Sequence, residues 1–387
     1  MRRIVAAAAA VSLLTVTVAL PAQALVPADV SLTAGPVSTV VSVSPDVYFD
    51  EKTGTFYLFT TGMQIGVYKS TDGTAWQVAP GASTPTGPYS DPSVVAMPDG
   101  TYRMYYAYRA SNTSPCSGKE LRYATSPDLV RWTAQPGTLL TDLGCGVPNV
   151  VRTGTEYRLY YVRGGPGLPH GTYLATSPDG LAWTPTDELL TPVDFVDPSV
   201  VRLADGSWLM LTADFASPPP PEFFQQLYAG TSADGLKWDF GAKEPLFTAP
   251  SGKGAFDPDV VVMPDGSVRA WWSQGVASGT ALVAAGTVGI ASPPLPATPG
   301  KPTISASSRG AKVAWTYAAG APAVEGYVVQ VKTTGGWRDV ATTTQTSRSL
   351  TWSKVGVAKG ASFHVRVVAF IGDAEATSPS AKATRPR

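Results

Sequence analysis

Short apolar runs of strand length recur in one fixed order between about residues 40 and 290. A proline opens each repeat and a mostly apolar strand follows it, as in Asp91-Pro92-Ser93-Val94-Val95. A turn with Asp-Gly or Thr-Gly leads to an aromatic strand, and a third strand, a second tight turn and a tryptophan follow. Asp-Gly between apolar runs is a strong hairpin signal, because glycine supplies the positive φ that the turn needs. Four antiparallel strands per repeat predict one blade of a β-propeller.

The opening phrase of the repeat occurs five times at a spacing of roughly 45–60 residues, which is typical of propeller blades. It keeps its aspartate at Asp91, Asp197 and Asp257, whereas Ser44 and Val147 take that place in the other two copies. We therefore predict an all-β fold, with a five-bladed β-propeller over residues 25–291. Residues 25–43 are expected to add an outer strand that closes the propeller. The tryptophans after the second turns are expected to pack between blades; they are Trp76, Trp132, Trp183 and Trp238.

The two ends of the chain differ from the repeats. Arg2 and Arg3 precede an apolar run that ends at Leu20, and Ala22-Gln23-Ala24 fits a cleavage site. Residues 1–24 are therefore interpreted as a signal peptide, and the protein as secreted and extracellular. An uncleaved membrane anchor is the alternative. Residues 292–300 are proline-rich and are interpreted as a linker, and residues 301–387 alternate like a small β-sandwich.

Composition and charge narrow the range of partners. The 29 Lys and Arg residues balance the 29 Asp and Glu residues, so neither nucleic acid nor a membrane is expected as a partner, and a monomer is predicted. The chain has two cysteines, and an even count in an exported chain predicts a Cys116–Cys145 disulfide. Free thiols or a metal site are the alternative, although two cysteines alone do not make a zinc site.

The three aspartates before proline are the main candidates for chemistry. The inner strands of a propeller line a central axis, so carboxylates at the start of different inner strands are expected to converge on one pocket. Two carboxyl groups, one protonated and one ionised, are what glycosidic cleavage requires. The alternative is structural, because aspartate before proline is also a common way to begin a turn or strand.

The repeated Asp-Pro-Ser-Val-Val phrase, the Asp-Gly-x-Tyr/Trp second strands and the Ser-x-Asp-Leu/Gly-x-x-Trp turns resemble the five-bladed propeller glycosidases. Glycoside hydrolase family 43 is the most similar, with families 32 and 62 as relatives. The resemblance implies that Asp91 is the base, that Asp197 tunes the pKa of the acid, and that Asp257 is the acid. The family has glutamate at the last position, so Asp257 is one methylene shorter. Counting from the first repeat gives a poorer match, because Ser44 and Val147 would then take the base and tuning positions.

A wider set of residues is predicted to line the funnel and the axial channel. Side chains two positions apart on a strand share a face, so the residues after the prolines are expected to point into the same region. A hydrated polar channel would suit them, as would a hard cation such as Ca²⁺, and no cofactor is expected to be required. Core packing is the alternative for the aromatic candidates. The predicted substrate-binding residues are Asp46, Tyr89, Asn149, His170, Phe215, Asp259 and Trp272.

The C-terminal sandwich resembles a fibronectin type III domain, with Phe363 where that family often has a tyrosine. The resemblance implies a spacer or adhesion module without chemistry of its own. For the whole chain we expect a secreted glycoside hydrolase that acts by inversion on arabinose- or xylose-containing polysaccharide. The alternative is a non-catalytic carbohydrate-binding or surface protein on the same fold, which the missing glutamate favours.

Overall fold

The computed structural model describes residues 25–62, 64–109, 116–154, 156–165, 167–215, 225–250, 254–275, 280–291, 296–371 and 374–387. These residues form two compact units, 25–291 and 296–387. The predicted signal peptide and part of the predicted linker lie outside the described residues. The regular secondary structure of the described residues is nearly all β-strand, and none of their helices is long and apolar enough to cross a membrane.

The first unit consists of five antiparallel sheets. A 3-10 helix at Pro27–Asp29 precedes β1 at Val30–Val41. The first sheet contains β2 (Val43–Asp50), β3 (Thr55–Thr61), β4 (Gly66–Ser70) and β5 (Gln77–Val78). The second contains β6 (Tyr89–Ala96), β7 (Tyr102–Arg109), β8 (Lys119–Ser126) and β9 (Thr133–Ala134). The next two contain β10 (Gly146–Arg152), β11 (Tyr157–Gly165), β12 (Leu168–Ser177) and β13 (Thr184–Pro185), then β14 (Phe195–Arg202), β15 (Trp208–Asp214) and β16 (Leu227–Ser232).

The fifth sheet joins the two ends of this unit. It contains β17 (Ala255–Val262), β18 (Val268–Gly275) and β19 (Ala281–Ile290), and β1 pairs antiparallel with β19 as its outer strand. The prediction that residues 25–43 add an outer strand is confirmed. The first strands of the five sheets, β2, β6, β10, β14 and β17, each contact the next, and β17 contacts β2. They therefore form a closed ring around a central channel.

Each of these first strands carries a β-bulge at its proline. The residue before the proline has a φ between 46° and 55°, and the pairing register with the second strand shifts at the same point. Positive φ is uncommon for residues other than glycine, and a bulge bends the strand and re-aims its side chains. The five residues are Ser44, Asp91, Val147, Asp197 and Asp257. All but Asp197 line the narrow channel, together with residues that follow the prolines.

A closed circle of hydrogen bonds joins the five sheets around this channel. The side chain after each proline accepts the N–H of a valine in the next first strand, at 2.8–3.0 Å. These N–H groups face away from the paired second strand, so the side chains satisfy donors that the sheet leaves open. The acceptor and donor pairs are Asp46 and Val94, Ser93 and Val150, Asn149 and Val200, Ser199 and Val260, and Asp259 and Val47.

A second set of contacts, which we call the outer lock, joins the sheets farther from the channel. An arginine and an aromatic residue two positions later, both on a second strand, donate to backbone carbonyls of the Asp-Gly turn in another sheet. The turn is thereby fixed to its neighbour by two or more hydrogen bonds. Within the described residues the lock occurs three times: Arg103 and Tyr105 on Asp179-Gly180, Arg158 and Tyr160 on Asp234-Gly235, and Arg269 and Trp271 on Asp72-Gly73.

The tryptophans after the second turns pack between sheets, as predicted. Three of the four meet aromatic residues of the neighbouring second strand edge-on, an arrangement that aromatic rings favour. The ring pairs are Trp132 with Phe59 at 5.6 Å between centroids, Trp183 with Tyr105 at 5.9 Å, and Trp238 with Tyr160 at 6.1 Å. Trp76 packs against the buried cluster that contains Phe56 and Trp271.

The second unit, residues 296–387, has two sheets and its own core. Its strands are β20 (Thr303–Ala306), β21 (Gly310–Ala314), β22 (Gly326–Thr333), β23 (Gly336–Thr343), β24 (Ser347–Thr351), β25 (Ser362–Ile371), β26 (Ala374–Thr377) and β27 (Ala381–Thr384). One sheet has the order β20-β21-β24, and the other joins β23, β22, β25 and β26, with β27 also paired to β25. A single helical turn, α1 at Trp352–Val355, follows β24. Trp315, Tyr327 and Phe363 are buried in the core of this unit.

Tyr160 and Tyr161 offer a matched test of the outer lock. Both side chains are fully buried, but the Tyr160 hydroxyl donates to the Gly235 carbonyl at 2.8 Å, whereas the Tyr161 hydroxyl has no partner among the described residues. We predict that Tyr160→Phe lowers the free energy of unfolding by about 1–3 kcal/mol, because it leaves a buried carbonyl unpaired. Tyr161→Phe should be neutral or stabilising. Equal losses for the two variants in urea unfolding would contradict a stabilising role for the lock.

Candidate active site

Three aspartates from three sheets meet at one end of the channel. Asp197 is 8% exposed, and Asp257 is close enough for its charge to act on the Asp197 carboxyl group. Asp91 is close enough to both for its charge to raise their pKa values. The bulges explain the convergence, because each one turns the residue before its proline out of the ordinary strand alternation. The structure thus brings together the three residues that the sequence marks as candidates for catalysis.

Ser44 lies between Asp91 and Asp257. Its hydroxyl is 2.9 Å from Asp91 Oδ1 and 3.2 Å from Asp257 Oδ2, and its N–H donates to Asp257 Oδ2 at 3.0 Å. Because one hydroxyl reaches both groups, Asp91 Oδ1 and Asp257 Oδ2 are within about 6 Å of each other. The inversion predicted for Asp91 and Asp257 stays a prediction. The Ser44 hydroxyl thus bridges one oxygen of each carboxyl group.

A buried lysine that the sequence analysis missed stands beside Asp91. Lys119, the first residue of β8, is 9% exposed, and its Nζ is 3.7 Å from Asp91 Oδ2. The ammonium group also donates to the Cys145 carbonyl, and the Ser90 hydroxyl donates to Asp91 Oδ2 at 2.9 Å. A buried carboxylate is tolerated when an opposite charge and hydrogen bonds compensate for lost water. The sequence carries no local signal for Lys119, because its place depends on the register of β7 and β8 across a loop.

Burial and mutual repulsion set the protonation of the other two aspartates. Burial, and then the negative charge of Asp91, raises the pKa of Asp257 to about 6. Burial, and then the charges of Asp257 and Asp91, raises the pKa of Asp197 well above its ordinary value. Two neighbouring buried carboxyl groups do not both ionise readily, so the pair retains a proton toward neutral pH. The site therefore places a proton donor beside the Asp91 carboxylate.

A pocket of about 730 Å³ opens over these aspartates. Asp197 and Asp257 line it, whereas Asp91 lines the channel. The predicted Cys116–Cys145 disulfide is present and forms part of the pocket wall. A pocket of this size can enclose a small ligand such as a short oligosaccharide segment.

His170 and Phe215 also line this pocket, as the sequence predicted for substrate-binding residues. His170 Nδ1 is 3.0 Å from Asp194 Oδ1, and its ring is edge-on to Phe215 with centroids 4.9 Å apart. Phe215 is 50% exposed, so part of an apolar ring faces the opening. The two side chains form an aromatic edge on which a sugar ring can rest.

Two predicted sugar-stacking residues do not belong to the described lining of this pocket. Trp272 is 1% exposed and packs in the core against Phe247, with ring centroids 5.0 Å apart. The prediction for Trp272 is wrong, because its neighbours cover the ring. Tyr89 is half-buried and packs against Tyr106 and Tyr108. Core packing, the alternative interpretation, accounts for both residues.

The channel holds a second pair of buried acids, Asp46 and Asp259, which both take part in the circle of hydrogen bonds. Burial raises the pKa of Asp259 to about 7. Burial, and then the charge of Asp259, raises the pKa of Asp46 well above its ordinary value. Together with Asn149 they line a space of about 30 Å³, enough for an ordered water. The Ca²⁺ ion suggested for this channel stays a prediction.

Comparison with known proteins identifies the fold of the chain. No family model and no curated protein matches it. A solved thermostable family-43 glycoside hydrolase matches with a TM-score of 0.52 and 16% identity, covering 66% of this chain and 92% of that one. The catalytic domain of a Coprinopsis cinerea family-62 α-L-arabinofuranosidase matches with a TM-score of 0.51 and 14% identity, covering 68% and 98%. The Cellvibrio cellulosa α-L-arabinanase complexed with arabinohexaose matches with a TM-score of 0.50 and 14% identity, covering 63% and 91%. At these identities the likeness establishes a β-propeller fold and does not extend to the reaction.

Asp259 and Asn149 occupy equivalent positions, which gives a direct test of the buried acid pair in the channel. In Asp259→Asn the carboxamide oxygen can still accept the Val47 N–H, as Asn149 does for Val200. Because the pKa of Asp259 in the folded protein is raised to about 7, its contribution to stability is present at about pH 4 and is lost as the pH rises through 7. The free energy of unfolding should therefore fall less between low and high pH in the variant than in the wild type. We predict that this fall is smaller by on the order of 2 kcal/mol.

The measurement for this pair is the free energy of urea unfolding at pH 5 and pH 8. Glu51→Gln removes an exposed carboxylate in the turn after β2 and serves as the control. The free energy of unfolding at pH 5 is compared with that at pH 8. If its change is the same in Asp259→Asn as in the wild type, Asp46 and Asp259 do not share a proton.

Proposed function

We propose that this protein is a secreted glycoside hydrolase that cleaves arabinose- or xylose-containing polysaccharide. The observation that carries the proposal is the convergence of three aspartates from β6, β14 and β17 beside a pocket of about 730 Å³, with a proton retained by two of them. The substrate class is supported by the solved arabinanase and arabinofuranosidase that have a similar fold. The chain would act as a monomer on its polysaccharide, without a required cofactor.

In this proposal Asp197 and Asp257 form the proton donor, and Asp91 is the second carboxyl function. The pair lines the pocket and holds its proton toward neutral pH, so it can protonate the leaving oxygen of a glycosidic bond. Asp91 then either activates water or attacks the sugar carbon directly. The anomer released first distinguishes these two roles, because one gives inversion and the other gives retention.

We propose a five-bladed propeller over residues 25–291 and a fibronectin type III-like domain over residues 301–387 as the architecture around this site. The ring of five sheets supports the first assignment, and the two sheets around Trp315 and Phe363 support the second. The basic and apolar segment that ends at Leu20 supports export through a signal peptide at residues 1–24. The C-terminal domain would serve as a spacer or adhesion module.

Carbohydrate binding without turnover is a second candidate function. Ser44 fills the space between Asp91 and Asp257, and Lys119 pairs with Asp91. Both contacts occupy acceptor positions on Asp91 that water or a sugar would otherwise use. They favour a site that holds a sugar and leaves its bonds intact.

Hydrolysis of arabinan, xylan and aryl glycosides separates the two candidates. We predict that the wild-type protein releases sugar and that Asp91→Asn and Asp257→Asn each lower kcat by about 10²–10⁴-fold, because each removes a proton-transferring group. Glu51→Gln, at an exposed position, should keep full activity. Binding of these polysaccharides without product, unchanged in Asp91→Asn, would contradict the hydrolase and support the binding protein.

Ser44→Gly adds a second arm to this experiment. Glycine accepts the φ of 52° at this position without strain, and it removes the hydroxyl between the two carboxylates. A gain in turnover would show that Ser44 restrains the site, whereas a loss would show that it positions Asp91 and Asp257.

A further inference from the structure

One wall of the pocket carries two cations that face each other directly. Arg109 is the last residue of β7 and Lys119 is the first residue of β8, and the two are paired in the register of these strands. Both line the pocket. Like charges directly opposite each other on neighbouring strands repel and destabilise the pair. Such a pair is retained at low cost only when each cation has an anion to balance it.

The two cations differ in this respect. Lys119 is balanced by Asp91 at 3.7 Å and by the Cys145 carbonyl. The Arg109 guanidinium has no hydrogen bond and no ion pair within the described residues, although the side chain is half-buried. The neighbouring segment 110–115 contains no Asp or Glu that could balance it.

Other arginines of the first unit show that this is unusual for the fold. Each of the other half-buried arginines in its described residues is bonded to a carboxylate or to backbone carbonyls. They are Arg103, Arg122, Arg158, Arg163 and Arg269. Arg109 is therefore the half-buried guanidinium that remains available, and it faces the pocket rather than another sheet.

We propose that Arg109 binds the carboxylate of an acidic sugar, so that the pocket takes a uronic acid unit of the polysaccharide. The proposal rests on the function proposed above and specifies its substrate class. A guanidinium matches a carboxylate through two parallel N–H···O bonds, and this anion would relieve the repulsion between Arg109 and Lys119. Asp197 and Asp257 line the same pocket from β14 and β17, so the attraction of Arg109 is what would direct the sugar carboxylate to the β7–β8 wall.

Titration calorimetry with a matched pair of ligands tests this inference. The probes are a xylotriose that carries a glucuronic acid branch and the same oligosaccharide with the branch reduced to glucose, each checked for integrity after titration. We expect the acidic ligand to bind at least about tenfold more tightly to the full-length protein at low salt, since a hydrogen-bonded charge pair is worth that much. Arg109→Gln should abolish this difference in affinity. Arg109→Lys should keep only part of it, because an ammonium group cannot form the two parallel N–H···O bonds of a guanidinium. Arg152→Gln should leave the difference intact, because Arg152 is exposed and lines a different opening, where the first strands end.

Equal affinity of the wild-type protein for the two ligands would overturn the inference, and so would a difference that survives in Arg109→Gln. Turnover of both ligands is followed in parallel, so the failure of the inference and the failure of the proposed function are distinguishable. No turnover of either ligand, with the tenfold difference present, supports the acidic subsite and contradicts the hydrolase. Turnover of the neutral ligand with equal affinities contradicts the acidic subsite and leaves the hydrolase standing.

Discussion

A bulge before a proline, repeated in five first strands, sets the geometry of the channel and of the site beside it. It holds a residue other than glycine at positive φ, a conformation that persists only where the surroundings fix it. The proline that follows has its own φ fixed by its ring, and it has no backbone N–H to donate. The side chain before each proline points toward the site or the channel, while the side chain after it accepts a hydrogen bond from the next first strand. One local distortion thus produces both the circle of hydrogen bonds and the convergence of aspartates.

The electrostatics of the site depend on which of the five positions before a proline carry an acidic residue. Three of the five positions carry aspartate, and the two others carry Ser44 and Val147, so the acids gather unevenly around the channel. Close packing makes Asp197 and Asp257 compete for a proton, and Lys119 compensates for Asp91. Ser44 bridges the remaining gap. The same crowding that supplies a proton donor also occupies acceptor positions on Asp91, which is why hydrolysis and binding without turnover both have support.

Local signals in the sequence were sufficient for part of this structure. The strand repeats, the outer strand, the inter-sheet tryptophans and the disulfide each depend on a short pattern or a single pairing. Features that depend on which face of a strand a residue occupies, or on the register between strands, could not be predicted from the sequence. Trp271 and Trp272 are adjacent and both buried, yet one belongs to the outer lock and the other only to the core. Lys119 and Arg109 become neighbours only through the pairing of β7 with β8.

Asp91, Asp197 and Asp257 form one coupled acid group. Carbon-13 NMR titration of the aspartate carboxyl groups in the wild-type protein and in Asp91→Asn would measure this coupling. We predict that the pKa of Asp257 is about 6 in the wild-type protein and falls in the variant, because a nearby negative charge that raises it has been removed. An Asp257 that titrates near its ordinary value in both proteins would contradict the coupling.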